Sequence, residues 1–224
     1  MSPFAFAAEP SSTETAEARC GLCRRLEPPY AKATAYGSYE SGLRELIHLL
    51  KYNQVRPAAN VLGRMLAEAI EDLRPLLASS QVVVVPVPLH VRKLRQRGFN
   101  QSELIARAAV KLQPAATRLE LCATALEHRR ETKSQIGLSR HQRRENIRGA
   151  IVVAKPDEVA GRTVLVVDDV FTTGTTVSEC ARILRRAGAS KVYVATVART
   201  LKTEAQHAIR EADTEARLTM AAAG

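Results

Sequence analysis

The sequence contains no Trp, and its 224 residues include only four Phe and five Tyr. That scarcity argues against an exposed aromatic ladder on which successive bases would stack. No apolar run approaches the ~20 residues that cross a bilayer. The longest, Val82 to Val87, is strand-sized, so membrane insertion is not expected. The first residues (MSPFAFAAEPSSTETAEAR) lack a basic region ahead of an apolar stretch, which argues against a secretory signal. Four unevenly spaced Cys do not make a disulfide framework, and a reducing cytoplasm is the expected setting.

What the chain does have is positive charge, and it is concentrated. The net charge is +10, with +4 between Val91 and Arg107 and +5 between His128 and Arg148. Two cationic segments in an otherwise near-neutral chain suit a polyanionic ligand such as phosphate, pyrophosphate or nucleic acid. A solvated basic face is the plainer alternative.

Residues 1–18 are polar and read as a disordered leader, followed by a short Cys-containing segment, 19–35. Leu43, Leu46, Ile47 and Leu50 have helical spacing, with Ser41 as candidate N-cap. A second helix opens after Pro57 and carries Val61, Leu62, Met65, Leu66 and Ile70 on one face. Val82 to Val87 is a β-branched run of the kind buried on both faces of a parallel sheet. Asn100 with Glu103, and Thr176 with Glu179, have capping-box spacing. Leu119–Leu126, Ala150–Ala154, Thr163–Val167 and Lys191–Val197 read as further strands, and Gly188 as a helix stop. The alternation predicts an α/β fold with a mostly parallel twisted sheet flanked by helices. Residues 36–80 form a helical N-terminal part, 81–200 the core, and 201–224 a charged tail.

In such sheets ligands bind where strand ends open into helices. Val164 to Thr176 (VLVVDDVFTTGTT) has that design. Asp168 and Asp169 follow the apolar strand, and two adjacent carboxylates there suit vicinal hydroxyls or Mg²⁺. Thr172, Thr173, Gly174, Thr175 and Thr176 then open a helix. Gly174 permits a tight turn, and hydroxyls with helix N-terminal N–H groups make a phosphate receptacle. Hydroxyl partners and a phosphate cradle at this spacing match the two ends of a ribose 5-phosphate.

The string resembles the phosphoribosyl pyrophosphate (PRPP) signature of the type I phosphoribosyltransferases almost residue for residue. PVPLH (86–90), RKLRQRGFNQ (92–101) and KSQIGLSRHQRRENIRGA (133–150) are similar to the ComF family, and the likeness runs from about Tyr36 to Arg199. The resemblance implies a type I phosphoribosyltransferase fold. Asp168 and Asp169 would hold the ribose hydroxyls, and residues 172–176 the 5-phosphate. Arg92, Arg95 and Arg97 would face the pyrophosphate, and Mg²⁺ would accompany PRPP. Lys133 and Arg130, on a long polar segment that could close as a lid, would take a catalytic part. The implied activity is phosphoribosyl transfer to an unknown acceptor, covered by a hood drawn from residues 36–80. The family's association with competence suggests an alternative: a non-catalytic binding protein that grips single-stranded DNA during uptake, with competence-machinery proteins as partners.

Cys20 and Cys23 supply half of a tetrahedral zinc site. The family typically has two such pairs, so the segment reads as a degenerate zinc ribbon. Two chains sharing one Zn²⁺ would make a homodimer. Cys122 and Cys180 read as small core residues, His48 as a partly buried structural residue, and Tyr36 and Tyr39 as packing residues or as a cover for a base.

Overall fold

The computed structural model describes residues 6–7, 27–77, 81–114, 118–132 and 139–200. In chain order these form β1 (Phe6–Ala7), β2 (Lys32–Ser38), α1 (Ser41–Lys51), α2 (Ala58–Glu71), α3 (Arg74–Leu77), β3 (Val82–Pro86), α4 (Val91–Arg97) and α5 (Gln101–Leu112). There follow β4 (Leu119–Leu121), β5 (Leu126–His128), α6 (Arg140–Ile147), β6 (Ile151–Val153), β7 (Thr163–Phe171), α7 (Thr175–Arg186) and β8 (Lys191–Arg199). The main sheet has the order β1-β2-β8-β7-β3-β4. Every pairing in it is parallel except the two-residue β1, which runs antiparallel to β2.

All five residues of β3 are buried, as its unbroken β-branched run requires of a central strand covered on both faces. Successive side chains along a strand point to opposite faces, and β7 shows the consequence. Leu165 and Val167 join Ile47, Leu62, Leu66 and Ile105 beneath α1, α2 and α5. Val164 and Val166 join Val177, Cys180 and Leu184 beneath α7. Each fully buried leucine contributes about 1.5–3 kcal/mol. On the first face α2 and α5 approach so closely that a Cβ on Gly63 would lie 2.4 Å from that of Ala108.

The predicted α/β sheet is therefore present, with several local corrections. The boundary expected between residues 35 and 36 falls inside β2, whose Ala33 and Ala35 are fully buried beside β8. The expected disordered leader contributes Phe6–Ala7 as β1. The helix expected from Ser41 is capped by Glu40 instead, without a side-chain bond. α2 does bury Leu62, Leu66 and Ile70, but Val61 is 39% exposed. The single strand expected over Leu119–Leu126 is two. β4 stays in the main sheet, a turn intervenes, and β5 pairs antiparallel with β6 in a small second sheet. Cys122 follows β4 and is half-buried, and Cys180 is buried in α7.

Candidate functional site

The chain leaves β3 through α4 and α5 toward β4 at one edge, and leaves β7 through α7 toward β8 on the other side. Adjacent parallel strands whose connections diverge open a crevice at their carboxyl ends, the favoured ligand position in such sheets. Pro86, the last residue of β3, pairs with Val167. The next two residues of β7 are Asp168 and Asp169, just past the edge of that pairing.

The alternation that organises the core also separates the acids. Asp169 continues the face of Leu165 and Val167 and is only 4% exposed. Its Oδ2 meets the Lys51 ammonium, from the last residue of α1, at 2.6 Å. Burial works against that ammonium, but the Asp169 carboxylate outweighs it and raises the lysine's pKa. Asp168 Oδ1 accepts from Ser102 Oγ and from the Asp169 backbone N–H, both at 2.9 Å. Burial, then the neighbouring Asp169 charge, push the Asp168 carboxyl up to about 7, against the pull of Lys51 and of the Ser102 hydrogen bond. The adjacent carboxylates thus differ in environment, one paired in the core and one reaching the crevice.

Three residues beyond β7 the backbone turns through Gly174, with φ +71° in the left-handed region, and α7 begins. A Cβ there would lie 2.5 Å from the Phe171 ring, so the turn is open only to glycine in this arrangement. No side chain caps α7. The expected capping box of Thr176 and Glu179 does not form, because the helix starts at Thr175. Glu179 accepts instead from the Gly149 N–H at 3.2 Å and pairs with Arg182 at 2.6 Å. The first-turn N–H groups of an α-helix have no intrahelical acceptor and favour an anion. Thr173 and Thr175 place their hydroxyls 2.8 Å apart beside that helix start.

Across the crevice, what reads in sequence as a basic loop is in large part helix α4. His90 caps it by accepting from the Arg92 N–H, and Gly98 ends it. The cations differ in their engagement. Arg92 is 76% exposed and bonds Glu131 at 2.8 Å. Arg97 donates to Gln101 and lies over the Tyr52 ring, while Arg95 is exposed. Lys93, which carries no site role in the sequence reading, lies within the fields of Arg97, Lys51 and Glu131. Partial desolvation, then Arg97 and Lys51, lower its pKa. Asn100 caps α5, as predicted, accepting from Ser102 N–H, but Glu103 pairs with Arg107 rather than closing the box.

Behind α4, the His90 and His128 rings meet edge to face with centroids 5.5 Å apart. Burial, then His90 and Lys93, lower the His128 pKa to about 4, and its Nδ1 is buried without a partner among the described residues. Arg130 donates to the carbonyls of Asn146 and Arg148, both at 2.9 Å, so it ties the end of β5 to the end of α6 rather than reaching the acids. The arginines of α6 differ in burial, since Arg143 is 5% exposed while Arg144 is exposed. Lys133, Cys20 and Cys23 lie outside the described residues. His48 is half-buried, 4.7 Å ring to ring from Tyr52, and Tyr39 packs against the core beneath α1. No group of three or more His, Cys, Asp or Glu able to hold a metal occurs among the described residues. No helix among them is long and apolar enough to cross a membrane.

Lys51 and Ser102 are the site residues missing from the sequence reading. Lys51 looks like a solvated lysine at the end of an amphipathic helix, and Ser102 like a capping-turn residue. Only the tertiary fold brings both to the acids.

The chain is similar to several known proteins. Residues 106–216 match the family model described as the phosphoribosyl transferase domain. The DNA utilization protein YhgH of Escherichia coli (strain K12) is 36% identical over 185 residues, covering 81% of this chain and 78% of that protein. Competence protein F of Haemophilus influenzae is 31% identical over 184 residues, 80% of this chain and 78% of that protein. Amidophosphoribosyltransferase of Saccharomyces cerevisiae is 25% identical over 210 residues, 86% of this chain but 36% of the enzyme. A solved structure of the allosteric regulatory enzyme of purine biosynthesis matches with a TM-score of 0.37 and 26% identity, over 63% of this chain and 26% of that one.

Proposed function

Because this chain belongs to the ComF family and carries its phosphoribosyltransferase domain, we propose that the crevice binds Mg²⁺·PRPP and transfers its ribose 5-phosphate to an acceptor, releasing pyrophosphate. One observation carries the reading. The acids at the end of β7 are followed, through the left-handed Gly174, by a twelve-residue helix that starts without a cap. That puts hydroxyl-binding carboxylates and a phosphate-binding helix start a few residues apart. The 5-phosphate sits on the first turn of α7 and the Thr173 and Thr175 hydroxyls. The ribose hydroxyls lie toward Asp168, and the pyrophosphate toward α4.

Mg²⁺ fits the donor set, since carboxylate oxygens and substrate phosphates are the hard ligands it takes, with water completing the shell. When bound it neutralises charge on the pyrophosphate. The chain itself positions and stabilises. The acceptor's lone pair forms the new bond to C1 as the C1–oxygen bond breaks, and pyrophosphate leaves with the bonding electrons. The acceptor's proton passes to solvent. Lys93 and the α4 arginines favour the negative charge that develops on the leaving group.

The test is pyrophosphate release from Mg²⁺·PRPP with a panel of bases and amines, comparing wild type with Asp168→Asn/Asp169→Asn. Release by wild type alone supports transfer. A wild type that fails to bind PRPP at all sinks the reading. Tight PRPP binding without release for any acceptor favours a second one, a non-catalytic member acting on DNA. The names of the bacterial relatives and the exposed Arg92, Lys93 and Arg95 on α4 support that alternative.

A further inference from the structure

A largely buried ion pair at the end of β7 joins the matched domain to a helix outside it. α1 precedes residues 106–216, yet its last residue reaches a carboxylate of β7. A cation at a helix C-terminus is favoured by the helix dipole, so α1 is well suited to present one. The Lys51 side chain is 18% exposed and that of Asp169 6%, which makes this a largely desolvated pair. Such pairs are costly to break, because the surviving charge is left uncompensated. Asp168, one residue earlier in the chain, accepts from Ser102 Oγ.

We propose that Lys51 is a positioning residue for the sugar end of the site, its ammonium anchoring Asp169 so that Asp168 is left to receive the ribose. The inference rests on PRPP being the ligand. Lys51 does not touch substrate; it acts through the acid pair. The charged and titratable groups facing it are Asp168 and Asp169 from β7, Tyr39 ahead of α1, Tyr52 after it and Lys93 from α4. Cys180 of α7 lies behind Asp168, within its field. Among these Lys51 is the cation in contact with the acid pair. Removing it leaves the buried Asp169 carboxylate without its ion-pair partner, and the strand end that presents Asp168 loses that anchor.

The experiment is calorimetric titration of the full chain with Mg²⁺·PRPP. Lys51→Met strands the Asp169 carboxylate and is expected to bind about tenfold more weakly. Lys51→Arg, which keeps the charge, restores binding to within about threefold of wild type. Lys51→Met/Asp169→Asn removes both partners of the ion pair, and it binds as Asp169→Asn does, which keeps the test readable where Lys51→Met alone fails to fold. No loss in Lys51→Met, no rescue in Lys51→Arg, or a further loss in the double variant overturns the role of Lys51 while wild-type binding still stands. Absence of wild-type binding overturns the PRPP reading itself, and this inference with it.

Discussion

Replacing Gly174 with alanine separates two effects that the structure makes additive. The residue has φ +71°, and an added Cβ meets the Phe171 ring at 2.5 Å. Gly161 has the same φ of +71°, but nothing lies within 4 Å of its missing Cβ. In Gly161→Ala only the left-handed backbone resists, at about 1–2 kcal/mol. In Gly174→Ala the ring must also move, and overpacking of this kind costs about a further 1–3 kcal/mol. For a domain of this size each kcal/mol lowers Tm by roughly 2–4 °C. Thermal and urea unfolding of both variants measure the difference, and Mg²⁺·PRPP titration measures its consequence. Gly174→Ala is expected to be the less stable of the two and to lose PRPP affinity, because the turn sets where the first N–H groups of α7 point. Gly161→Ala is expected to bind as wild type does. If both variants lose the same stability and bind alike, the cradle does not depend on the glycine turn.

Two pH predictions follow from the perturbed groups, with opposite signs. The Asp168 pKa is raised to about 7 in the folded protein, so the native state binds a proton that the unfolded chain has released. Its contribution is full below about pH 4 and is lost as pH rises through about 7. Asp168→Asn removes that slope, so it should melt above wild type at pH 8 while losing PRPP; a variant that melts lower there contradicts the assignment. His128 is held near 4 by burial and then by His90 and Lys93. Its native state resists protonation, so stability falls as pH drops from about 6.5 toward 4. Calorimetry of His128→Gln should show a shallower acid limb, and an NMR titration placing the His128 midpoint near 6.5 would refute the burial argument.

The parts of the site that were legible in the sequence are those made of consecutive residues. The run from Val164 to Thr176 states its own geometry: apolar strand, two acids, glycine turn, helix. Each step follows from local chemistry, and the structure places them in that order. β3 was equally plain, because a β-branched run of that length has few other uses. Local patterns failed where a partner distant in sequence competed. Glu179 has capping-box spacing from Thr176, yet Arg182 and the Gly149 N–H take it. Leu119 to Leu126 reads as one strand, yet its halves pair with β3 and with β6. Arg130 looks like a free cation for a leaving group, but two backbone carbonyls take its guanidinium. A single sequence carries no sign of those competitors.

The two ends of the crevice also differ in what they require of the chain. In the proposed site the phosphate end is nearly self-contained, since strand, turn and helix start are contiguous and lie within the matched domain. The sugar end is not. Two carboxylates at the edge of a buried strand oppose folding unless charge and hydrogen bonds reach them, and nothing adjacent in sequence provides the charge. It comes from Lys51 on α1, upstream of residues 106–216, with Ser102, also upstream, adding a hydrogen bond to Asp168. A likeness confined to the acid-and-glycine motif therefore establishes the cradle but leaves the state of the acids open. The likeness to the bacterial relatives runs over about 80% of the chain. At Asp168 the Lys51 charge opposes burial and the Asp169 charge, so in the proposed site position 51 bears on the ribose end together with the aspartates.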